Sequence, residues 1–297
     1  MRSQSHPLWR SLLYVPANVE RYVESALRSE ADAIQLDLED GISESEKAAA
    51  RRLVPAVADK IAGSGADVIV RINRPLSLAI RDIETCVGQN VSALSLPKVD
   101  SSDHVRLLSE AVSEAEAQAG QEVGTTRFIV GIESPEAWFR MPEIAAADAR
   151  VAAILLGSED FVTAVGMSAD PEFLIGPKQA LVVAAASASV LPLGLVGSFA
   201  NYKDLKGLRE LARRSRKMGY KGSSCIHPSQ APILNEEFGP KPDEVAVARE
   251  VIANFEAARE KGLGAVGVGG KMIDLPVVER ARTILAWQAR IEERCAR

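Results

Sequence analysis

A single (β/α)₈ barrel is the fold the sequence predicts, and three observations predict it. Short apolar runs recur along the chain, segments of helical composition separate them, and charged or polar residues follow most of the runs. The runs cover residues 11–15, 33–38, 68–72, 93–96, 128–132, 152–156, 193–196 and 224–226, eight in all. Most are continuous stretches of Val, Ile, Leu and Ala rather than alternations. That pattern suits strands covered on both faces, as parallel strands are.

Helical composition marks residues 19–28, 44–62, 103–119, 178–188 and 204–218. Ser43-Glu44-Ser45-Glu46 reads as a helix start, with a Ser cap and acids in the first turn. Gly219 closes the segment that carries Arg213, Arg214, Arg216 and Lys217 in its last turns. Strands alternating with helices point to the barrel. A doubly wound open sheet is disfavoured because no Gly-rich phosphate loop follows the first run. Residues 1–230 form the expected barrel. Residues 231–297 form a helical extension that covers the barrel mouth or packs on a neighbouring subunit. Within it, 243–261 reads as a helix, 262–270 as a glycine-rich loop and 275–294 as a final helix.

Bulk properties narrow the function classes. With 297 residues, 47% hydrophobic and 25% charged, the chain is ordinary globular protein. A net charge of −5 with no long basic block argues against a nucleic-acid partner. Cys86, Cys225 and Cys295 are odd in number and far apart, which supports neither a disulfide framework nor a zinc ribbon. No signal pattern opens the chain, and no apolar run approaches the roughly 18 residues that span a bilayer. The expected location is the cytoplasm, with no membrane partner.

Barrel enzymes place their chemistry at the C-terminal ends of the strands. Here those ends read Asp37-Leu38-Glu39-Asp40-Gly41, Arg71-Ile72-Asn73, Pro97-Lys98, Glu133-Ser134, Gly157-Ser158-Glu159-Asp160 and His227-Pro228. Several carboxylates at one mouth repel one another unless a cation sits among them. Glu133 and Asp160 follow adjacent runs, so they can hold one ion together. Few carboxylates with bound water suit Mg²⁺, with Mn²⁺ as a substitute. Zn²⁺ is disfavoured because no His/Cys cluster accompanies them. Arg71 suits a substrate carboxylate, since its planar fork makes two parallel hydrogen bonds. The plainer readings are helix caps for the two acids, an ion pair with Asp37 or Glu39 for Arg71, and a rim histidine without catalytic duty for His227.

The motifs carry a resemblance. Arg10-Ser11-Leu12-Leu13-Tyr14-Val15-Pro16, Asp37 to Gly41, Val70-Arg71-Ile72-Asn73, Leu96-Pro97-Lys98, Ile132-Glu133-Ser134, Gly157 to Asp160 and Ile226-His227-Pro228 occur in one order. Together they resemble the HpcH/HpaI aldolase and citrate lyase β-subunit family, on its acyl-CoA lyase side. The resemblance implies a Mg²⁺-dependent carbon–carbon lyase on a barrel, assembled as a homotrimer or homohexamer. It implies metal ligands at Glu133 and Asp160 and a substrate carboxylate at Arg71. It also implies metal-bound waters held by Glu39 and Asp40, and a CoA thioester entering past Tyr14 and Arg21. The segment from Gly270 to Pro276 resembles the one that, in malyl-CoA and citramalyl-CoA lyases, delivers an Asp to a neighbouring subunit; that residue is Asp274 here. Its plainer reading is an N-cap before Leu275-Pro276. The chain departs from the family pattern at Ser223, where a Lys is common, and at Gly194, where an Asp is common. The function implied is cleavage of a 3-hydroxyacyl-CoA, or the reverse condensation. A citrate lyase subunit, a CoA-independent 2-oxo acid aldolase and a malyl-CoA thioesterase are the alternatives.

Overall fold

The computed structural model describes residues 6–168, 170–197, 201–260, 262, 264–268 and 271–295. Eight strands lie in one parallel sheet: β1 (Ser11–Pro16), β2 (Ala33–Asp37), β3 (Asp67–Arg71), β4 (Ala93–Leu96), β5 (Arg127–Ile132), β6 (Val151–Leu156), β7 (Leu191–Leu193) and β8 (Ser223–Cys225). Their order in the sheet is β7-β6-β5-β4-β3-β2-β1-β8. A parallel bridge from Leu193 to Gly222 brings the two ends together, so the sheet is nearly closed as a barrel.

The helices are α1 (Glu20–Leu27), α2 (Lys47–Ala62), α3 (Leu76–Cys86), α4 (Ser102–Gln118), α5 (Pro135–Phe139), α6 (Met141–Ala145), α7 (Ser158–Val165), α8 (Pro171–Ala188), α9 (Leu205–Met218), α10 (Ala231–Phe238), α11 (Pro242–Glu260) and α12 (Leu275–Cys295). The chain divides into two compact units, Met1–Phe238 and Gly239–Arg297. In the second, α11 packs on α12, and Phe255, Ile273 and Val278 form a small core of its own.

The apolar runs form strands because both of their faces are covered. Alternate residues such as Leu12, Ala33, Ile69, Ala93, Ile129 and Ala153 fill the barrel interior. Their neighbours Leu13, Ile34, Val68, Val70, Leu94 and Val130 face the helices in a larger core. Each fully buried Leu or Ile contributes about 1.5–3 kcal/mol of transfer free energy. Trp9 is 1% exposed and sits just before β1, with its indole N–H donating to Asp67 at 2.7 Å. Among the described residues, no helix is long and apolar enough to cross a membrane.

Four expectations shift. The seventh strand is Leu191–Leu193 rather than 193–196, because Gly194 takes φ +143° and ends the extended run before Leu195. The helix expected from residue 44 begins at Lys47 with no side-chain cap; Ser43 instead accepts the Glu46 N–H in a turn. α8 starts at Pro171, ahead of Pro177, whose carbonyl accepts the Trp138 indole N–H. The glycine-rich stretch 262–270 is not wholly loop, since Val266–Val268 pairs antiparallel with Lys271–Ile273. Gly269 and Gly270 lie outside the described residues.

Candidate active site

Parallel registry fixes which side chains meet at the rim. Asp37 is the partner of Arg71 across β2 and β3, and Ile132 is the partner of Leu156 across β5 and β6. The residues just beyond those pairs therefore converge. Tyr14, Asp40, Arg71, Glu133, Ser158 and Asp160 all line one cavity of about 220 Å³.

Arg71 is the hub. Its Nε and Nη2 donate to the two carboxylate oxygens of Asp37, both at 2.7 Å. Its Nη1 lies 3.0 Å from Glu39. Two of its five N–H groups are thus hydrogen-bonded to Asp37, while Nη1 lies among the carboxylates of Glu39 and, at 3.9 Å, Asp40. The guanidinium carbon stands 5.1 Å from the Tyr14 ring centre, a cation–π distance. Burial alone would lower the Arg71 pKa, but Asp37, Tyr14 and Glu39 hold it above its ordinary value. Burial likewise works to raise Asp37, yet Arg71 and the backbone N–H groups of Glu39 and Gly41 hold its carboxyl below the usual range. A Cβ at position 41 would collide with the Asp37 carboxylate, so the D-L-E-D-G turn needs its glycine for close approach.

Lys98 completes the network, and sequence reasoning gave it no role. It occupies the left-handed region at φ +49°, uncommon for a residue with a side chain. Its Nζ donates to Glu39 at 2.8 Å and lies 3.5 Å from Asp40. Its backbone N–H donates to Glu133 at 3.2 Å. One residue thereby touches both the Glu39–Arg71 cluster and the Glu133 carboxylate. Pro97-Lys98 at a strand end was the available signal, but nothing in the residue types foretells the backbone angle. Burial pushes the Glu39 pKa up, against the pull of Lys98 and Arg71.

Glu133 and Asp160 sit together opposite these cations. Burial raises the Glu133 pKa to about 7, and the charges of Glu39 and Asp160 add to the rise against the Lys98 N–H. A Cβ on Gly157 would lie 2.6 Å from Glu133 Cγ, so only glycine leaves the carboxylate its place. Asp160 stands in the first turn of α7. A buried carboxylate with acidic neighbours and a ready proton fits a cation between Glu133 and Asp160. Among the described residues, no group of three or more His, Cys, Asp or Glu side chains offers an all-protein metal cage. Two carboxylates completed by water and substrate suit Mg²⁺, which retains part of its hydration shell.

Arg21 and Asp274 make contacts within their own segments. Arg21 is exposed on α1, where it donates to Tyr22 at 3.1 Å and lies 4.8 Å from that ring's centre. Asp274 caps α12, its Oδ1 accepting the Val277 N–H at 3.3 Å. His227 caps the short turn after β8 through Ser229 and stacks on Tyr202.

The arrangement makes a prediction for Arg71→Lys. Charge is kept, but a single ammonium cannot hold Asp37 with two bonds and still present paired donors to a carboxylate. Turnover is expected to fall about 10²-fold, as for loss of one preorganised donor, while the protein still folds normally. A destabilised protein with unimpaired kinetics would reduce Arg71 to an ion-pair partner.

Comparison with known proteins identifies the family. The HpcH/HpaI aldolase/citrate lyase family matches residues 10–228. The citrate lyase subunit beta of Escherichia coli (strain K12) is 34% identical over 280 residues, covering 93% of this chain and 92% of that protein. The mitochondrial citramalyl-CoA lyase of Homo sapiens is 28% identical, over 96% of this chain and 87% of its own. Mycobacterium tuberculosis CitE, solved in complex with magnesium, acetoacetate and coenzyme A, superposes with a TM-score of 0.70 at 28% identity, covering 96% of this chain and 98% of that one. The chain belongs to the HpcH/HpaI aldolase/citrate lyase family, as an enzyme of its lyase type.

Proposed function

We propose that the protein cleaves a 3-hydroxyacyl-CoA of the malyl-CoA, β-methylmalyl-CoA or citramalyl-CoA type to an acyl-CoA and a 2-oxo acid, or runs the reverse condensation. The observation that carries this reading is the meeting of Arg71 with Glu133 and Asp160 in one small cavity, with Lys98 bound to both Glu39 and Glu133 beside it. In cleavage, the substrate hydroxyl loses its proton, the C2–C3 bond breaks, and its electron pair becomes the enolate of the shorter thioester. A proton must then reach the new methyl carbon. Arg71, held by Asp37 and Glu39, binds the substrate carboxylate with the N–H groups that Asp37 does not engage. Tyr14 walls the cavity beside it. Glu133 and Asp160 would hold Mg²⁺, or Mn²⁺ in its place, and Glu39 and Asp40 its waters. Bound there, the ion would supply positive charge that polarises the reacting oxygen. Asp274 is the acid/base for the methyl carbon and serves a neighbouring subunit of a homotrimer or homohexamer. Arg21 marks the CoA path along α1.

A second reading has an observation behind it. The likeness to citrate lyase subunit beta is the stronger in identity and leaves only 7% of the chain uncovered, so it runs into the C-terminal unit. That unit therefore does not separate a CoA thioester lyase from a citryl thioester lyase.

The test is a purified-protein screen with malyl-CoA, β-methylmalyl-CoA and citramalyl-CoA, with and without Mg²⁺. A 2-oxo acid and an acyl-CoA should form in equal amounts, only with metal. Free CoA with an intact hydroxy acid would identify a thioesterase. Inactivity with every CoA ester, relieved by an acyl-carrier partner, would identify a citrate lyase subunit.

A further inference from the structure

A second cavity, of about 320 Å³, opens beside the rim and has no part in the chemistry above. Tyr14, Leu155, Gly157, Ser158 and Glu159 line both cavities, so their walls are continuous. Beyond that shared wall the second one is mostly apolar, with Leu174, Leu193, Leu195 and Ile226 in its lining. Gly194 contributes no side chain there. A Cβ on it would come within 3.2 Å of the Tyr220 ring, and its φ of +143° also favours glycine.

Besides Tyr220, Ser223 and Ser224, one charged side chain interrupts that apolar wall. Lys178, on α8, is 4% exposed, and its Nζ donates to the Leu195 carbonyl at 2.8 Å. That is its one hydrogen bond among the described residues, and an ammonium has three N–H groups to place. Burial lowers its pKa to about 8, against the charge of Glu159, so it remains mostly protonated at neutral pH. A desolvated ammonium with unfilled donors is costly. A purely apolar chain filling the cavity would strip its remaining water and worsen that cost. A chain ending in an oxygen acceptor would remove it.

We propose that this cavity is a substrate subsite for an extended 2-oxo acid, whose apolar segment lies along Leu174 and Leu193 and whose distal carboxylate is received by Lys178. The inference rests on the rim being an oxo-acid site, and it goes beyond the glyoxylate- and pyruvate-forming thioesters above by adding oxo acids with a second anionic end.

The experiment is calorimetric binding in Mg²⁺, with wild type, Lys178→Met and Leu174→Trp. The probes are pyruvate, 2-oxohexanoate, 2-oxoglutarate, 2-oxoadipate, 2-oxopimelate and 2-oxosuberate. Wild type should bind at least one diacid about tenfold or more tighter than pyruvate, the worth of one charge-assisted hydrogen bond. Lys178→Met should remove that preference while leaving pyruvate unaffected and 2-oxohexanoate no weaker. Leu174→Trp, which fills the cavity without touching the charge, should cause the same selective loss. Equal affinity of wild type for pyruvate and every diacid would overturn the subsite alone. So would equal losses for pyruvate and diacids in Lys178→Met, or CoA displacing the diacids but not pyruvate. Failure of pyruvate itself to bind would overturn the oxo-acid reading of the rim.

Discussion

Glu133→Gln and Asp160→Asn are each expected to abolish turnover while the protein stays folded. Each substitution keeps the shape and removes one of the two negative charges that favour a divalent cation. A metal that polarises a reacting oxygen is worth several kcal/mol in the transition state, so the loss should be roughly 10³-fold or more. Wild-type protein treated with EDTA should be equally inactive and should recover with Mg²⁺, more slowly or less fully with other divalent ions. Glu133→Gln should also raise the melting temperature of the metal-free protein at pH 8, because it removes a buried charge beside Glu39 and Asp160. Undiminished turnover in either variant would remove that residue from the metal site.

Asp274→Asn should cost about 10²–10⁴-fold in turnover, the range for a positioned acid/base, without weakening Mg²⁺ binding. The larger consequence concerns assembly. If Asp274 serves a neighbouring subunit, Asp274→Asn and Glu133→Gln proteins, each inactive alone, should regain part of the activity when co-assembled. Some sites would then combine an intact metal site with an intact Asp. The cap that Asp274 forms on α12 uses only one carboxylate oxygen in the described geometry. Hybrids that stay inactive, with mixing confirmed by mass, would leave Asp274 as a helix cap or as an acid within its own chain.

Much of the barrel was legible because parallel strands buried on both faces leave a simple trace, a continuous apolar run ended by a polar residue. Strand seven was misplaced because Pro192 interrupts that trace while Leu195 and Val196, beyond Gly194, continue it. The candidate rim positions were read from the same trace: Glu133 follows its run directly, Arg71 stands at the end of its strand, and Asp160 comes four residues after the sixth. The ion pair of Arg71 with Asp37 was among the readings of the sequence, whereas the part of Lys98 was harder to read, because it depends on a left-handed backbone that composition does not encode. Lys178 was invisible, since a lysine eight residues into α8 looks like a solvated charge until the helix is seen to bury it.

The central claim is that Glu133 and Asp160 hold the catalytic ion, and Mg²⁺ titration calorimetry at pH 6 and pH 8 tests it most directly. Burial raises the Glu133 carboxyl to about 7 in the metal-free protein. Such a raised group stabilises the fold fully below its unfolded pKa of about 4.5, and that stabilisation is lost as pH rises through 7. Mg²⁺ binds the ionised form, so it must displace the proton at pH 6 and finds the site open at pH 8. The account predicts affinity about tenfold higher at pH 8 than at pH 6, with roughly one proton released on binding at the lower pH. Glu133→Gln should abolish both the binding and the proton release. Mg²⁺ binding that is independent of pH and unchanged in Glu133→Gln would contradict it.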